Sequence, residues 1–502
     1  MFKSTKSATA NAMVNAKASC AASMAASVLV INALSIQLGV FLISLISLIS
    51  IICICIITKN RNALWRGSSL AQMVLNDGGS AKRSRRFYLK IILFGGTQTM
   101  KKVLCTVLAV VMAVVCFAGC SAPAAEGGNE AGGSAASGDT IKVGLLGPYT
   151  GDLAVYGLAV KNGATLYFDK VNAEGGINGK KIELISYDNK GDDAEAINAF
   201  NREVDEGITA FIGDVITSNT IAVAGEANAV NMPMITASAT AEAVTVNPDD
   251  GSVYTNVFRT CFIDPFQGEK MAQYAKEKLG YSKAAVIVQT GNDYAAGLNE
   301  AFKAKCAELG MTVVAEEGYA KGDKDFNAQL TNIKAADPEF IFCPNYYEDD
   351  GMIVKQARAL GLTVPFLGGD GWDGVVKYAS AEELEGTFYC SAYAPGSTDA
   401  VKAFEEAYTA AYGTDTLNMF AANAYDAAMV MCAALAKAEE TGEAPASDAY
   451  KQAVIDAIKT EGANVVGITS EAGYTFDANN NPIKDAVIMT ITNGEAVYKE
   501  TF

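Results

Sequence analysis

The chain has 502 residues, 39 Lys+Arg, 56 Asp+Glu and no histidine. Residues 1–119 hold 13 of the basic residues and a single acid, Asp77, which leaves 26 basic and 55 acidic residues from Cys120 onward, a formal charge of −29 there. That surface repels nucleic acid and anionic headgroups, and the lack of histidine removes Ser-His-Asp and Cys-His catalysis and the commonest metal ligand, leaving only carboxylate or lysine mechanisms open to an enzyme.

In chain order, Ala18–Thr58 carries no charge, and Val28–Ile57 is apolar enough to cross a bilayer, with Lys59, Arg61 and Arg66 following in the positive-inside manner. Two readings of residues 1–99 stand: a transmembrane helix, or upstream sequence translated ahead of a true start at Met100. The second is favoured because another export signal begins at Met100. In residues 100–119 two lysines precede the apolar run Val103–Val115, which ends in small residues and Cys120, the layout of a signal peptide. Phe117-Ala118-Gly119-Cys120 resembles the lipobox of bacterial lipoproteins, which implies lipidation of Cys120 and a membrane held through that lipid anchor. An ordinary signal peptide or a short anchor is the alternative. Residues 120–139 continue as Gly, Ala, Ser and Glu without a large apolar side chain, a flexible tether.

From Thr140 the pattern alternates. IKVGLLGP, KIELISYD, TAFIGDV and PMITASA read as strands, with helical periodicity between them. After a long connection around SVYTNVFRTCFIDPFQG the alternation restarts with AAVIVQT, TVVAEEGYA, FIFCPNYY, VPFLGG and TFYCSAYAP. Alternation of this kind predicts an α/β fold of parallel sheets flanked by helices, and two successive runs predict two lobes. One hydrophobic core seldom grows past about 250 to 300 residues. Ligands of such sheets bind beyond the strand C-terminal ends, here in the cleft between lobes.

Cys261, Cys306, Cys343, Cys390 and Cys432 are scattered and odd in number, which argues against a disulfide framework or a zinc site. No metal or cofactor is expected. Gly369-Asp370-Gly371-Trp372-Asp373-Gly374 matches G-x-G-x-x-G after a strand, but a lone match is weak and its two acids would repel a pyrophosphate. Asp477-Ala-Asn479-Asn-Asn481 is a fragment of a calcium loop without its glycine or terminal glutamate, and reads as a turn between late strands.

The segments IKVGLLGPYTGDLAVYG, NAEGGINGKKIEL, FIGDVITSNT, MPMITASAT, VFRTCFIDPFQG, DYAAGLNEAF, NYYEDDGMIVKQARALG, GGDGW and ANAYDAAMV, in this order from about Ile141 to Phe502, resemble the leucine/isoleucine/valine-binding proteins of ABC transporters, within the type I periplasmic binding fold. The resemblance implies a two-lobed protein with a first lobe at 140–262, a second at 263–393, the first resumed at 394–480, and C-terminal strands of the second lobe at 481–502. It implies capture of an amino acid, most simply a branched-chain one, by lobe closure outside the cytoplasm, and delivery to permease subunits backed by ATPase subunits. It implies no catalysis, and a monomer is the default. A ligand-sensing domain for a small amino acid or amide is the alternative.

Carried over residue by residue, the resemblance implies that Thr217 and Ser218 hold a ligand carboxylate at a helix starting near Asn219, and that the loop Ser238, Ala239, Thr240 helps bind both carboxylate and ammonium. It places Asp370 on the α-ammonium, Tyr294 and Tyr346 over the zwitterion, and Tyr156, with Phe420, against the ligand side chain. Thr217 stands where many members have serine. Each residue also has an ordinary reading: a helix N-cap for Thr217 or Ser218, a self-bonded turn for Asp370, packing for the tyrosines. Their joint position at strand ends favours the ligand.

Overall fold

The structure, a computed structural model, describes residues 140–502; the extension at 1–99, the signal at 100–119, the tether at 120–139 and Cys120 lie outside the described residues. Two sheets account for all the strands among the described residues. The first comprises β1 (Thr140–Gly147), β2 (Lys181–Asp188), β3 (Ala210–Ile212), β4 (Met234–Thr236) and β5 (Val257–Arg259) in the order β2-β1-β3-β4-β5, every pair parallel. Parallel neighbours need crossovers; α1 (Ala154–Ala173), α2 (Asp193–Asp205) and α3 (Thr217–Ala229) supply the first three, and a loop with the 3-10 turn Glu242–Val244 supplies the fourth, from β4 to β5. Both faces of this sheet are therefore covered: Ile141, Val143 and Leu145 of β1 enter one buried cluster, and Leu146 enters another with Phe200, Phe211 and Val257. β5 lies inside the stretch read from sequence as a long connection; three buried residues give too short a pattern to detect.

The second sheet runs β12-β11-β10-β9-β8-β6-β7. It contains β6 (Lys283–Gln289), β7 (Thr312–Tyr319), β8 (Phe340–Phe342), β9 (Phe366–Gly368) and β10 (Phe388–Ser391), all parallel, with α4 (Asp264–Glu277), α5 (Asp293–Glu308), α6 (Asn327–Ala335), α7 (Tyr347–Ala359) and the one-turn α8 (Ala381–Leu384) around it. After β10 the chain returns to the first sheet as α9 (Asp399–Tyr412), α10 (Met419–Glu439) and α11 (Asp448–Gly462), where α10 packs on α1, β3 and β4. It then crosses once more to the antiparallel pair β11 (Val487–Thr492) and β12 (Glu495–Thr501). The chain thus passes between lobes three times, after β5, after β10 and before β11.

By length and hydropathy α10 resembles a membrane span, but its apolar residues are spent on the first-lobe core. Asp426 on this helix accepts from Ile468 N–H, Thr469 N–H and the Tyr474 hydroxyl, which satisfies an otherwise costly buried carboxylate. The five cysteines of the described region are free and buried, small core residues. Residues 477–481 form a turn closed by a bridge between Phe476 and Pro482, ahead of β11 and not between strands of a sheet.

Candidate functional site

A central site lies where the C-terminal ends of both sheets face each other. It is lined by Tyr156, Val215, Ile216, Thr217, Ser238 and Phe420 from the first lobe and Tyr294, Tyr346, Asp370 and Gly371 from the second. The side chains leave about 10 Å³ of free space, about one water-sized sphere, too little for an amino acid in this conformation. A larger cavity of about 280 Å³ forms the mouth, lined by Ser218, Lys190, Asn292, Lys324 and Asp349 among others, and shares Ile216 and Tyr346 with the centre.

The first-lobe wall is built from backbone and hydroxyls. Helix α3 begins at Thr217, two residues earlier than the sequence pattern suggests, because Ile216, extended as it leaves β3, takes the cap position; its carbonyl accepts from Thr220 N–H at 2.8 Å. No side chain caps this end, so Thr217 and Ser218 stand inside the first turn, beside N–H groups that have no intrahelical partner. Thr217 faces the centre and Ser218 the mouth. Ser238 follows β4 and its hydroxyl donates to the Val215 carbonyl at 2.8 Å. With its proton so engaged, the oxygen turns lone pairs to the site and suits an ammonium better than a carboxylate.

Ala239 and Thr240 are fully buried behind that wall and line neither cavity. The Ala239 carbonyl accepts from Arg259 Nη1 at 3.0 Å, and the Thr240 carbonyl from Asp264 N–H at 2.9 Å, so these carbonyls secure the loop.

The second-lobe wall carries the charge. Strand β9 runs into a single 3-10 turn, Asp370–Trp372, that no long helix follows, so the G-x-G-x-x-G match is no dinucleotide loop. Its glycines answer crowding instead: a Cβ on Gly369 would stand 2.7 Å from the Tyr294 hydroxyl, and one on Gly371 would stand 2.3 Å from the Asn345 carbonyl. Asp370 N–H donates to Gln267 Oε1 and Gly371 N–H to the Tyr294 hydroxyl, both at 2.8 Å. These bonds fix the backbone of the turn, and the buried Asp370 Oδ2 has no hydrogen-bond partner. Burial pushes its pKa up to about 7, opposed by the Tyr294 hydroxyl and the Gln267 amide. Asp264, also buried with both oxygens unpartnered, is raised by burial too. Among the described residues, no Lys or Arg lines the centre.

Aromatic rings complete the enclosure. Tyr294 stacks on Tyr346 at 5.0 Å between centroids, and Tyr156 meets Tyr347 and Phe420 edge-on at 4.7 and 4.6 Å. Tyr156 also ties the lobes together: its hydroxyl donates to the Gly371 carbonyl and accepts from Tyr347 N–H at 3.3 Å. The Tyr347 hydroxyl donates to the Asp152 carbonyl. Sequence reading missed Tyr347, although the Tyr346-Tyr347 pair offers one ring at the cap and the next on the first turn of α7. It also missed Gln267, whose signal is the polar residue in DPFQG one turn into α4.

Sheet order, three interlobe crossings and a cleft at the strand C-terminal ends define a two-lobed binding protein of the type I periplasmic binding fold. The sequence profile described as "Periplasmic binding protein" matches residues 140–496. The Leu/Ile/Val-binding protein homolog 3 of Brucella melitensis is 32% identical over 318 residues, 62% of this chain and 83% of that protein. Among solved structures, the branched-chain amino acid transporter substrate-binding protein LivJ of Streptococcus pneumoniae, in complex with isoleucine, superposes with a TM-score of 0.65 at 33% identity, covering 72% of this chain and 99% of that one. The leucine-binding protein LivK of Thermotoga maritima gives 0.64 at 31%, with 72% and 99% coverage. The chain belongs to the periplasmic binding proteins, and within them to the branched-chain amino acid binding family.

Proposed function

We propose that this protein captures a zwitterionic amino acid, in the first place an aliphatic one such as leucine, isoleucine or valine, by closing its lobes, and presents the closed form to an ABC transporter permease. The observation that carries the reading is the pairing of a buried, unpartnered Asp370 oxygen on one lobe with the uncapped α3 N-terminus on the other. An ammonium bonded to Asp370 makes a charge-assisted bond, and a carboxylate at Thr217 meets free N–H groups and the positive end of the helix. Tyr156, Phe420, Val215 and Ile216 leave the remaining wall apolar. Discrimination by such a wall is modest, about 1 to 3 kcal/mol per methylene, so related side chains compete.

Ligand contacts drawn from both lobes favour the closed form over the open one, which is capture and not turnover. The hinge positions follow the three crossings, near 262/263, 393/394 and 480/481. The signal at 100–119 and the tether at 120–139 support a lipid-anchored form beginning at Cys120, and mass spectrometry of the mature N-terminus tests it: a diacylated Cys120 is expected, and residues upstream of Met100 would overturn it.

Thermal unfolding of residues 139–502 against the twenty amino acids and a few small amides, after unfolding and refolding to strip carried-over ligand, tests the substrate class. A ligand at 100 times its dissociation constant stabilises by about 2.7 kcal/mol. A rise in Tm confined to aliphatic amino acids is the expected result, and no rise with any amino acid would remove the class.

A further inference from the structure

The loop 369–374 carries two acids, and the ligand reading uses only Asp370. We propose that Asp373 is a positioning residue that sets the place of Phe420, and through it the affinity for aliphatic side chains, by capping helix α10 from the opposite lobe; this rests on the amino acid reading above.

Asp373 Oδ2 accepts the Met419 N–H at 2.9 Å. Met419 is the first residue of α10, a first-lobe helix, whereas Asp373 belongs to the loop after β9 of the second-lobe sheet. The own cap of this helix, Asn418, accepts from Phe420 N–H at 3.0 Å and from Ala421 N–H at 3.2 Å. Asp373 thus satisfies the remaining donor at a helix end, where negative charge is favoured.

The residue that follows, Phe420, lines the central site and meets Tyr156 edge-on. Tyr156 in turn donates to Gly371, so both ends of the same loop grip the first lobe. The loop is also anchored on its own lobe. Trp372 is fully buried and its indole Nε1 donates to the Cys343 carbonyl at 2.7 Å, anchoring it to the end of β8, and Lys377 just beyond donates to the Asp415 carbonyl at 2.6 Å, a further bond across the lobes. Asp370 and Asp373, three residues apart on one turn, therefore face different tasks: one meets the ligand's ammonium, the other places the ring against its side chain.

The test is a double-mutant cycle on leucine affinity by isothermal titration, with wild type, Asp373→Ala, Phe420→Ala and the double variant, alongside Asp373→Asn, which keeps an acceptor oxygen for Met419 N–H without the charge. Loss of a charged cap lowers affinity about tenfold in Asp373→Ala, with partial recovery in Asp373→Asn. In the Phe420→Ala background the same change has no further effect, because the ring it places is gone. Additive losses, or an unchanged affinity in Asp373→Ala, would overturn the assignment. A wild type that binds leucine while the cycle is additive fails this proposal alone; a wild type that binds no aliphatic amino acid fails the substrate reading with it. Should Asp373→Ala not fold, Asp373→Asn against Asp373→Asn/Phe420→Ala carries the same cycle.

Discussion

The two lobes meet the central site with opposite chemistry. The first offers a bare helix end, two hydroxyls and backbone, none of it charged: Thr217 at the start of α3 and Ser238 after β4. The second offers a carboxyl, Asp370, pressed beneath Tyr294 and Tyr346. Ser238 on the first lobe and Asp370 on the second both suit an ammonium, but only the second carries a charge, and only the first offers the bare helix end to a carboxylate. On the function proposed here, closure is worth most to a ligand carrying both poles, because the charged acceptor and the bare helix end lie on different walls.

The sharpest way to break this asymmetry is to remove the charged side. Asp370→Ala leaves an ammonium without its acceptor, and truncating one partner of a buried charged pair costs about 2 to 5 kcal/mol; titration calorimetry should show affinity falling by at least about thirtyfold. A retained affinity would move the ammonium elsewhere.

Acidification acts on the same group. Burial raises Asp370 to about 7 in the ligand-free protein, with Asp264 and Asp373 close by and the Tyr294 hydroxyl and the Gln267 amide opposing the shift. Below that value one proton must leave as the ammonium arrives, so affinity falls about tenfold per pH unit, about a hundredfold by pH 5, and is flat above neutrality. The sign for stability is the reverse. A carboxyl with a raised pKa contributes stability that is full below its unfolded value and is lost as pH rises through about 7. The ligand-induced rise in Tm should therefore grow from pH 5 to pH 7, and Asp370→Asn should abolish that growth.

Tyr156→Phe addresses the seam between the lobes. It deprives the Gly371 carbonyl of a donor and Tyr347 N–H of an acceptor, both in the second lobe, at about 1 to 3 kcal/mol for buried groups left unpaired. Affinity should fall about tenfold through faster release, with a much smaller change in the Tm of ligand-free protein; equal loss in both would make the bond a folding contact only. Thr217→Ser is the mildest probe. It keeps the hydroxyl and removes one methyl from the uncharged wall, so affinities should shift by about 1 kcal/mol and in favour of larger side chains.

Much of this organisation can be read along the chain. Alternating periods of two and near 3.6 specify parallel sheets with crossover helices, since a strand buried on both faces and an amphipathic helix each announce their neighbours locally. The site residues do not announce themselves this way: Thr217, Ser238, Tyr294, Tyr346 and Asp370 each have an ordinary local reading and are marked only by the resemblance to a known family, and Tyr347 and Gln267 are marked by neither. The three-residue β5 also escapes the local pattern, being too short for any period to show.

What the sequence by itself determined is the α/β class and the division of the chain into a basic N-terminal part and an acidic remainder, and its resemblance to a known family added the residues able to meet a zwitterion. Only the tertiary structure decided which of them meet. It put Thr217, Ser238, Tyr156 and Phe420 opposite Tyr294, Tyr346 and Asp370, sent Ser218 to the mouth, and buried Ala239 and Thr240 behind the wall. It also turned Asp373 toward a helix of the other lobe. The reason is physical: secondary structure answers to neighbours a few residues away, whereas the site is assembled across three interlobe crossings from segments more than 200 residues apart, as Tyr156 and Gly371 are. No local pattern encodes that distance.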